Sequence, residues 1–191
     1  MLRTNLVVRH LGLISGEGLV INGLPRVTRL GNSRILLGKR VVLNSSWSSN
    51  ALNLAYPVTL KTMANSALID IGDDVGISGS IIVARSLIRV GNRVLVGANC
   101  VIMDSDQHNL AVAPSERRYA KPLASQSRAV IIGDDVFIGA NSMVLKGVNI
   151  GEGSIIGAGS VVTSDIPAFT IAAGNPCRII RPIAALAMTK L

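Results

Sequence analysis

One histidine of the chain stands beside carboxylates in a short polar segment. The segment reads Asp104-Ser105-Asp106-Gln107-His108. A histidine side chain ionises near neutral pH and can take a proton from a hydroxyl, and a neighbouring carboxylate can orient its ring and favour the imidazolium. Asp104 or Asp106 could fill that supporting role. On residue type alone, a general-base site and an ordinary polar turn are both open.

The rest of the chain offers few other groups for such chemistry. There are two histidines, and His10 lies in an irregular N-terminal stretch, where a surface role is expected. The two cysteines, Cys100 and Cys177, are expected to be packed thiols in a reducing cytoplasm and not a disulfide. The sequence indicates neither a secretory signal nor a membrane span, because no apolar run approaches the roughly 20 residues that a span needs.

A six-residue repeat positions these groups. From Ile132 to Pro167 an aliphatic residue recurs every six residues, often followed by glycine. This period fits neither an amphipathic helix nor strands joined by arbitrary turns. It is typical of a parallel β-helix, in which each hexad supplies one strand and one corner and the aliphatic side chain points inward. The fifth residue of each hexad is small or β-branched, as a packed corner requires.

The repeat divides the chain of 191 residues, read as one domain (1–191), into segments. Early coils are predicted at 19–43 and 71–107, and regular coils at 132–167. An excursion or a poorly regular coil is predicted at 44–70, and a long polar loop at 108–131. A tail, ending in a short helix, is predicted at 168–191. Long loops on rigid repeats often carry function.

The net charge of +8 favours a polyanionic partner. Aromatic residues make up only 3% of the chain, so the stacking platforms that bind nucleic acid are lacking, and none of the usual motifs is present. A small polyphosphate such as a nucleotide cofactor would use the same charge.

The hexads, the Asp106-x-His108 pair at the loop and the closing AGNPCRIIR motif together resemble the left-handed β-helix acyltransferases over residues 30–185. The chain is similar to the maltose, galactoside and nodulation O-acetyltransferases, and more so to those of capsule, colanic acid and lipopolysaccharide synthesis. The handedness rests on this resemblance, because parallel crossovers are normally right-handed. The resemblance implies an all-β, left-handed parallel β-helix that transfers acetyl from acetyl-CoA directly to a sugar or polysaccharide hydroxyl.

Site residues follow from the same resemblance. His108 matches the general base, and no metal is needed. The residues that match cofactor contacts are Gly139, Ala140, Ala158, Thr163, Arg178 and Arg181. Backbone at the Gly-Ala steps would meet the pantetheine arm, although these can also be ordinary hexad sequence. The two arginines would meet phosphates or adenine, or simply form a solvated helix end.

The acceptor side departs from the relatives. Ser78 and Arg85 stand where the maltose and galactoside enzymes place Asn and Asp, so a different acceptor is expected. Arg85 suits an anionic acceptor or a solvated corner. Phe137 stands where the family often has Trp. The resemblance also implies a cytoplasmic homotrimer in which His108 of one subunit faces the cofactor ledge of its neighbour.

Other functions remain open from the sequence. One is N-acylation of an amino sugar, and another is a serine acetyltransferase, although the long helical N-terminal domain expected of the latter is lacking. A zinc-dependent β-helical carbonic anhydrase would need three histidines. A non-catalytic β-helix scaffold is the remaining alternative.

Overall fold

The computed structural model describes residues 12–117, 119–120 and 124–183, without the side chain of Ala124. The C-terminal helix predicted for the end of the chain, and His10, lie outside the described residues. Strands before the long loop are β1 (Ile14–Ser15), β2 (Val20–Asn22), β3 (Arg26–Thr28), β4 (Arg34–Leu37), β5 (Val42–Asn44), β6 (Thr59–Thr62), β7 (Leu68–Ile71), β8 (Gly76–Ser78), β9 (Ile81–Ala84), β10 (Leu87–Val90), β11 (Leu95–Val96) and β12 (Val101–Met103). After a 3₁₀ turn at Ala124–Gln126 come β13 (Val130–Ile132), β14 (Phe137–Ile138), β15 (Met143–Val144), β16 (Asn149–Ile150), β17 (Ile155–Ile156), β18 (Val161–Val162), β19 (Thr170–Ala173) and β20 (Arg178–Pro182).

From β1 to β18 every third strand joins the same sheet, which confirms the predicted parallel β-helix. Sheet A runs β1-β4-β7-β10-β13-β16, sheet B runs β2-β5-β8-β11-β14-β17-β19-β20, and sheet C runs β3-β6-β9-β12-β15-β18. Pairing is parallel throughout except for β19 with β20. The three sheets form the faces of a prism. We call its edges the AB, BC and CA corners, after the sheets that each connects along the chain.

The aliphatic residues of the hexads fill the prism, as their spacing predicts. Ile138 is fully buried and pairs in register with Val96 on one side and Ile156 on the other. The same ladder continues to Ala172, which is also buried. Burying one such side chain contributes roughly 1.5–3 kcal/mol, so the stacked ladders are the main source of stability.

The early part of the chain is more regular than predicted. Strand β1 already pairs with β4, although the repeat was expected to begin at residue 19. Strands β6 and most of β7 lie inside the predicted excursion of 44–70, so the true interruption is the BC-corner loop 45–58. The end of this interruption was hard to locate in the sequence because strand β6 (Thr59–Thr62) carries polar residues on its outer face.

The BC-corner loop 45–58 lies along the side of the prism and does not cover its end. Backbone N–H of Ala55 donates to Asn99 Oδ1 at 2.9 Å, and the Tyr56 hydroxyl donates to the Asn99 carbonyl at 3.0 Å. Trp47 is 67% exposed on this loop.

No helix in the described part of the chain is long and apolar enough to cross a membrane.

Polar side chains link successive coils at the AB corner. Asn92 accepts the backbone N–H of Asp73 at 2.9 Å and donates its own to Asp134 at 2.8 Å. Arg93 holds Asp135 in a bidentate pair, with contacts of 2.6 and 2.7 Å. These hydrogen bonds lower the pKa of both Asp134 and Asp135 below that of a free carboxyl.

Candidate active site

The long loop that carries His108 leaves the prism at the CA corner. Strand β12 ends at Met103 and β13 begins at Val130, so the loop spans 104–129 and not only 108–131. The His108 side chain is exposed, and the structure gives it no hydrogen bond within the described residues. An exposed imidazole at this edge is accessible to an acceptor molecule or to another subunit.

Asp104 does not orient His108. It is fully buried, and its two carboxylate oxygens accept backbone N–H groups from Arg85 at 2.8 Å, Ser86 at 2.6 Å and Leu87 at 2.9 Å. The three amide donors occupy most of the roughly four acceptor sites of the carboxylate. The prediction that Asp104 supports His108 therefore gives way to a structural role. Its carboxylate binds the backbone at the CA corner of the preceding coil.

Asp106 has an ion-pair partner, Lys146, that was not predicted from the sequence. Its carboxylate forms an ion pair with the ammonium of Lys146, which sits at the CA corner of the next coil. About a third of each side chain remains exposed. The signal in the sequence was a charged residue at a corner of the otherwise aliphatic and small hexad VLKGVN. The pair fixes the loop two residues before His108.

A cleft of about 280 Å³ opens beside this ion pair. Ser105, Asp106, Arg128, Lys146 and Thr163 contribute to its lining. Ser105 is only 2% exposed, and no described residue forms a hydrogen bond with its hydroxyl. The cleft therefore lies directly below the segment that carries His108.

The Gly-Ala steps form a ledge at the BC corner, which we define as Gly139, Ala140 and Ala158. A Cβ on Gly139 would lie 2.4 Å from the backbone nitrogen of Ala158, so glycine is required where the coils approach closely. Ala158 is exposed and Ala140 partly so. Within the described residues, the backbone N–H groups of Ala140 and Ala158 have no hydrogen-bond partner. They are available to the carbonyl groups of a ligand.

The remaining predicted cofactor residues lie toward the C-terminal end. Thr163 is exposed at the CA corner, one sheet away from the ledge. Arg178 and Arg181 lie on strand β20 and not on a helix end, and both are exposed. Arg178 lines a cleft of about 450 Å³ that also includes Ser164, next to Thr163. The structure thus brings Arg178 near Thr163.

The two predicted acceptor residues differ in accessibility. Ser78 is only 7% exposed and accepts a hydrogen bond from Asn44 at 3.1 Å, so its hydroxyl belongs to the packed sheet B and is not open to an acceptor. Arg85 lies at the CA corner, above Asp104. Its Nη1 donates to the Met63 carbonyl at 3.3 Å, and its buried Nε has no partner in the described part of the chain.

Within the described residues there is no group of three or more His, Cys, Asp or Glu side chains that could hold a metal ion. The thiol of Cys100 is buried and donates to the Gly139 carbonyl at 3.2 Å, and burial raises its pKa. This side chain lies inside the prism, behind the ledge.

Comparisons with known proteins agree with this architecture. Residues 87–103 and 129–164 match the family model described as the hexapeptide repeat of succinyl-transferase. A Staphylococcus aureus (strain COL) protein to which acetyltransferase activity is provisionally assigned is 40% identical in an alignment of 110 residues that covers 50% of this chain and 55% of that protein. The chain thus spans about half the length of the curated relatives it matches.

Solved structures extend the likeness in fold over nearly the whole chain. The N-acyltransferase AntD from Bacillus cereus, in complex with dTDP and 3-hydroxybutyryl-CoA, has a TM-score of 0.67 at 19% identity, covering 94% of this chain and 88% of that one. A galactoside acetyltransferase in complex with coenzyme A has a TM-score of 0.56 at 24% identity, covering 95% and 70%. The chain therefore has an all-β parallel β-helix fold and carries hexapeptide repeats over the matched residues.

Proposed function

We propose that this protein is an acetyl-CoA-dependent O-acetyltransferase that acts on a hydroxyl of a sugar or polysaccharide precursor. The observation that carries the proposal is the ledge, where the unpartnered N–H groups of Ala140 and Ala158 can receive the carbonyls of a thin, extended chain. Arg178 shares a cleft with Ser164, the neighbour of Thr163, and the exposed cations Arg178 and Arg181 suit the phosphates of the cofactor. The relatives named acetyltransferases support the same reaction class.

In the proposed reaction, His108 takes the proton of the acceptor hydroxyl while its oxygen attacks the thioester carbonyl. The carbon–oxygen bond forms, the carbon–sulfur bond breaks, and the proton ends on the departing thiolate to give CoA. General-base assistance of this kind is typically worth ~10²–10⁴-fold. Backbone N–H groups would stabilise the oxyanion. Asp106 contributes by anchoring the loop through Lys146.

The proposed site includes a second subunit. Within one chain, His108 belongs to the CA corner and the ledge to the BC corner, and sheet C lies between them. A homotrimer of parallel prisms would set the loop of one chain against the ledge of the next. The test mixes His108→Ala and Ala158→Trp subunits, each inactive alone. Random mixing should restore roughly a quarter of the sites, whereas sites within one chain would regain no activity.

Direct binding tests the cofactor part of the proposal. Ala158→Trp places a bulky side chain on the ledge, and Ala168→Trp places the same side chain at the exposed AB corner as a control. Titration calorimetry with acetyl-CoA should show binding lost or weakened at least about tenfold in the first variant and unchanged in the second. Equal binding by both variants would move the cofactor away from the ledge.

N-acylation of an amino sugar is a second candidate, favoured by the fold likeness to AntD. The two reactions differ in the acceptor atom. Competition between a sugar and the matching amino sugar for radiolabelled acetyl groups separates them, because an ester product is cleaved by hydroxylamine and an amide is not.

A further inference from the structure

We propose that the cleft beside the Asp106–Lys146 pair is an anion subsite, built to receive a phosphate or carboxylate group. Its use in acetyl transfer depends on the proposed function, whereas its capacity to bind an anion does not. The cleft has a volume of about 280 Å³, which is sufficient for such a group together with part of a sugar ring.

The buried hydroxyl of Ser105 supports an anion subsite. The residue is 2% exposed and lines the cleft, and its Oγ has no hydrogen-bond partner among the described residues. A buried polar group without a hydrogen-bond partner destabilises the folded state. A ligand oxygen in the cleft would accept this O–H and remove that destabilisation.

The charges and hydrogen-bond donors that line the cleft also favour an anion. Lys146 and Arg128 bring two positive charges to the lining, and Asp106 brings one negative charge. An ammonium has three N–H donors, and the hydrogen bond to Asp106 uses one of them. The Arg128 side chain is exposed and has no ion pair among the described residues. Free cationic donors and a free hydroxyl together fit an oxyanion.

The position of the cleft also fits an anion subsite. The cleft lies at the CA corner, below the loop that carries His108, and Thr163 lines it from the next coil. An anionic group held here could belong to the acceptor that meets His108, or to the 3′-phosphate of CoA near Thr163. The chemistry that Ser105, Lys146 and Arg128 recognise is the same in both cases.

Titration calorimetry with inorganic phosphate, at ionic strength held constant with chloride, tests the subsite without turnover. Wild type should bind one phosphate saturably. Ser105→Ala keeps the ion pair and should weaken phosphate binding about tenfold, as should Lys146→Met. Lys39→Met removes an equal charge at the AB corner and should leave binding unchanged. Absence of saturable binding, or equal affinity in wild type and Ser105→Ala, would overturn the proposal.

Competition then assigns the source of the anion. If the acceptor supplies it, phosphate should inhibit turnover of a uronic acid acceptor but not acetyl-CoA binding. If CoA supplies it, Ser105→Ala should weaken CoA binding but not dephospho-CoA binding. Phosphate that competes with neither ligand would overturn the role of the cleft in transfer, while the O-acetyltransferase assignment could still stand.

Discussion

The carboxylate of Asp104 accepts the backbone N–H of Ser86 at 2.6 Å, and this contact joins the start of the long loop to the coil before it. The N–H groups of Arg85 and Leu87 complete the set of donors. The three amides lie at the CA corner and at the start of β10, and the buried carboxylate serves as their acceptor in place of a backbone carbonyl.

Replacing Asp104 should therefore destabilise the fold. We expect Asp104→Ala to lower the free energy of unfolding by about 3 kcal/mol, because it removes a buried carboxylate and leaves three amide donors without their acceptor. Asp165→Ala is the matched control, since the exposed Asp165 accepts the backbone N–H of Asn149 at 2.8 Å, and it should cost less than about 1 kcal/mol. Urea unfolding followed by circular dichroism measures both. Equal costs would contradict the structural role of Asp104.

Substitutions of aliphatic residues should likewise cost more stability at positions inside the prism than at positions on its outer face. Ile138→Ala, at a fully buried position, should cost about 2–5 kcal/mol, and Ile138→Val about 0.5–1.5 kcal/mol. Leu95→Ala, at a side chain that is 54% exposed, should cost much less. Thermal melting of the three variants is the measurement, and a melting temperature of Ile138→Ala near that of the wild type would be incompatible with the packed prism.

Acid should weaken the AB corner. Arg93 lowers the pKa of Asp135, so the folded carboxyl binds its proton at lower pH than the unfolded one. The stabilisation is thus complete above the ordinary carboxyl pKa of about 4 and is lost as the pH falls through the folded value. The stability difference between wild type and Arg93→Gln should be present at pH 7 and shrink below about pH 4. Lys61→Gln, which removes a charge on β6, should show no such pH dependence.

Both thiols should resist modification in the folded protein. Cys100 and Cys177 are buried, and burial raises the pKa of each above that of a free thiol. We expect Ellman's reagent at pH 8 to modify neither in the native protein and both in urea. Fast labelling of Cys100 without denaturant would show that the coil behind the ledge opens readily.

The fold could be predicted from the sequence because the hexads encode it directly. Ile132, Ile138 and Val144 each face inward, since a fixed period dictates which side chain enters the prism. The start of the prism was placed too late and the excursion too broadly, because the coils before Ile71 carry polar residues on their outer faces and have irregular spacing.

The candidate site could be predicted only in part. The position of His108 on an exposed loop followed from the interruption of the repeat. The partners of Asp104 and Asp106 did not, because Ser86 and Lys146 are 18 and 40 residues away in sequence and meet them only through coil stacking. Ser78 was placed at the acceptor although its hydroxyl is packed within sheet B.

The most direct test of the central proposal is CoA release from acetyl-CoA with pooled sugar acceptors, comparing wild type with His108→Ala. We expect acceptor-stimulated release by wild type and a loss of ~10²–10⁴-fold in the variant, with acetyl-CoA binding retained. Equal release by both proteins would contradict the role of His108. If neither protein bound acetyl-CoA, the acetyltransferase proposal itself would fail.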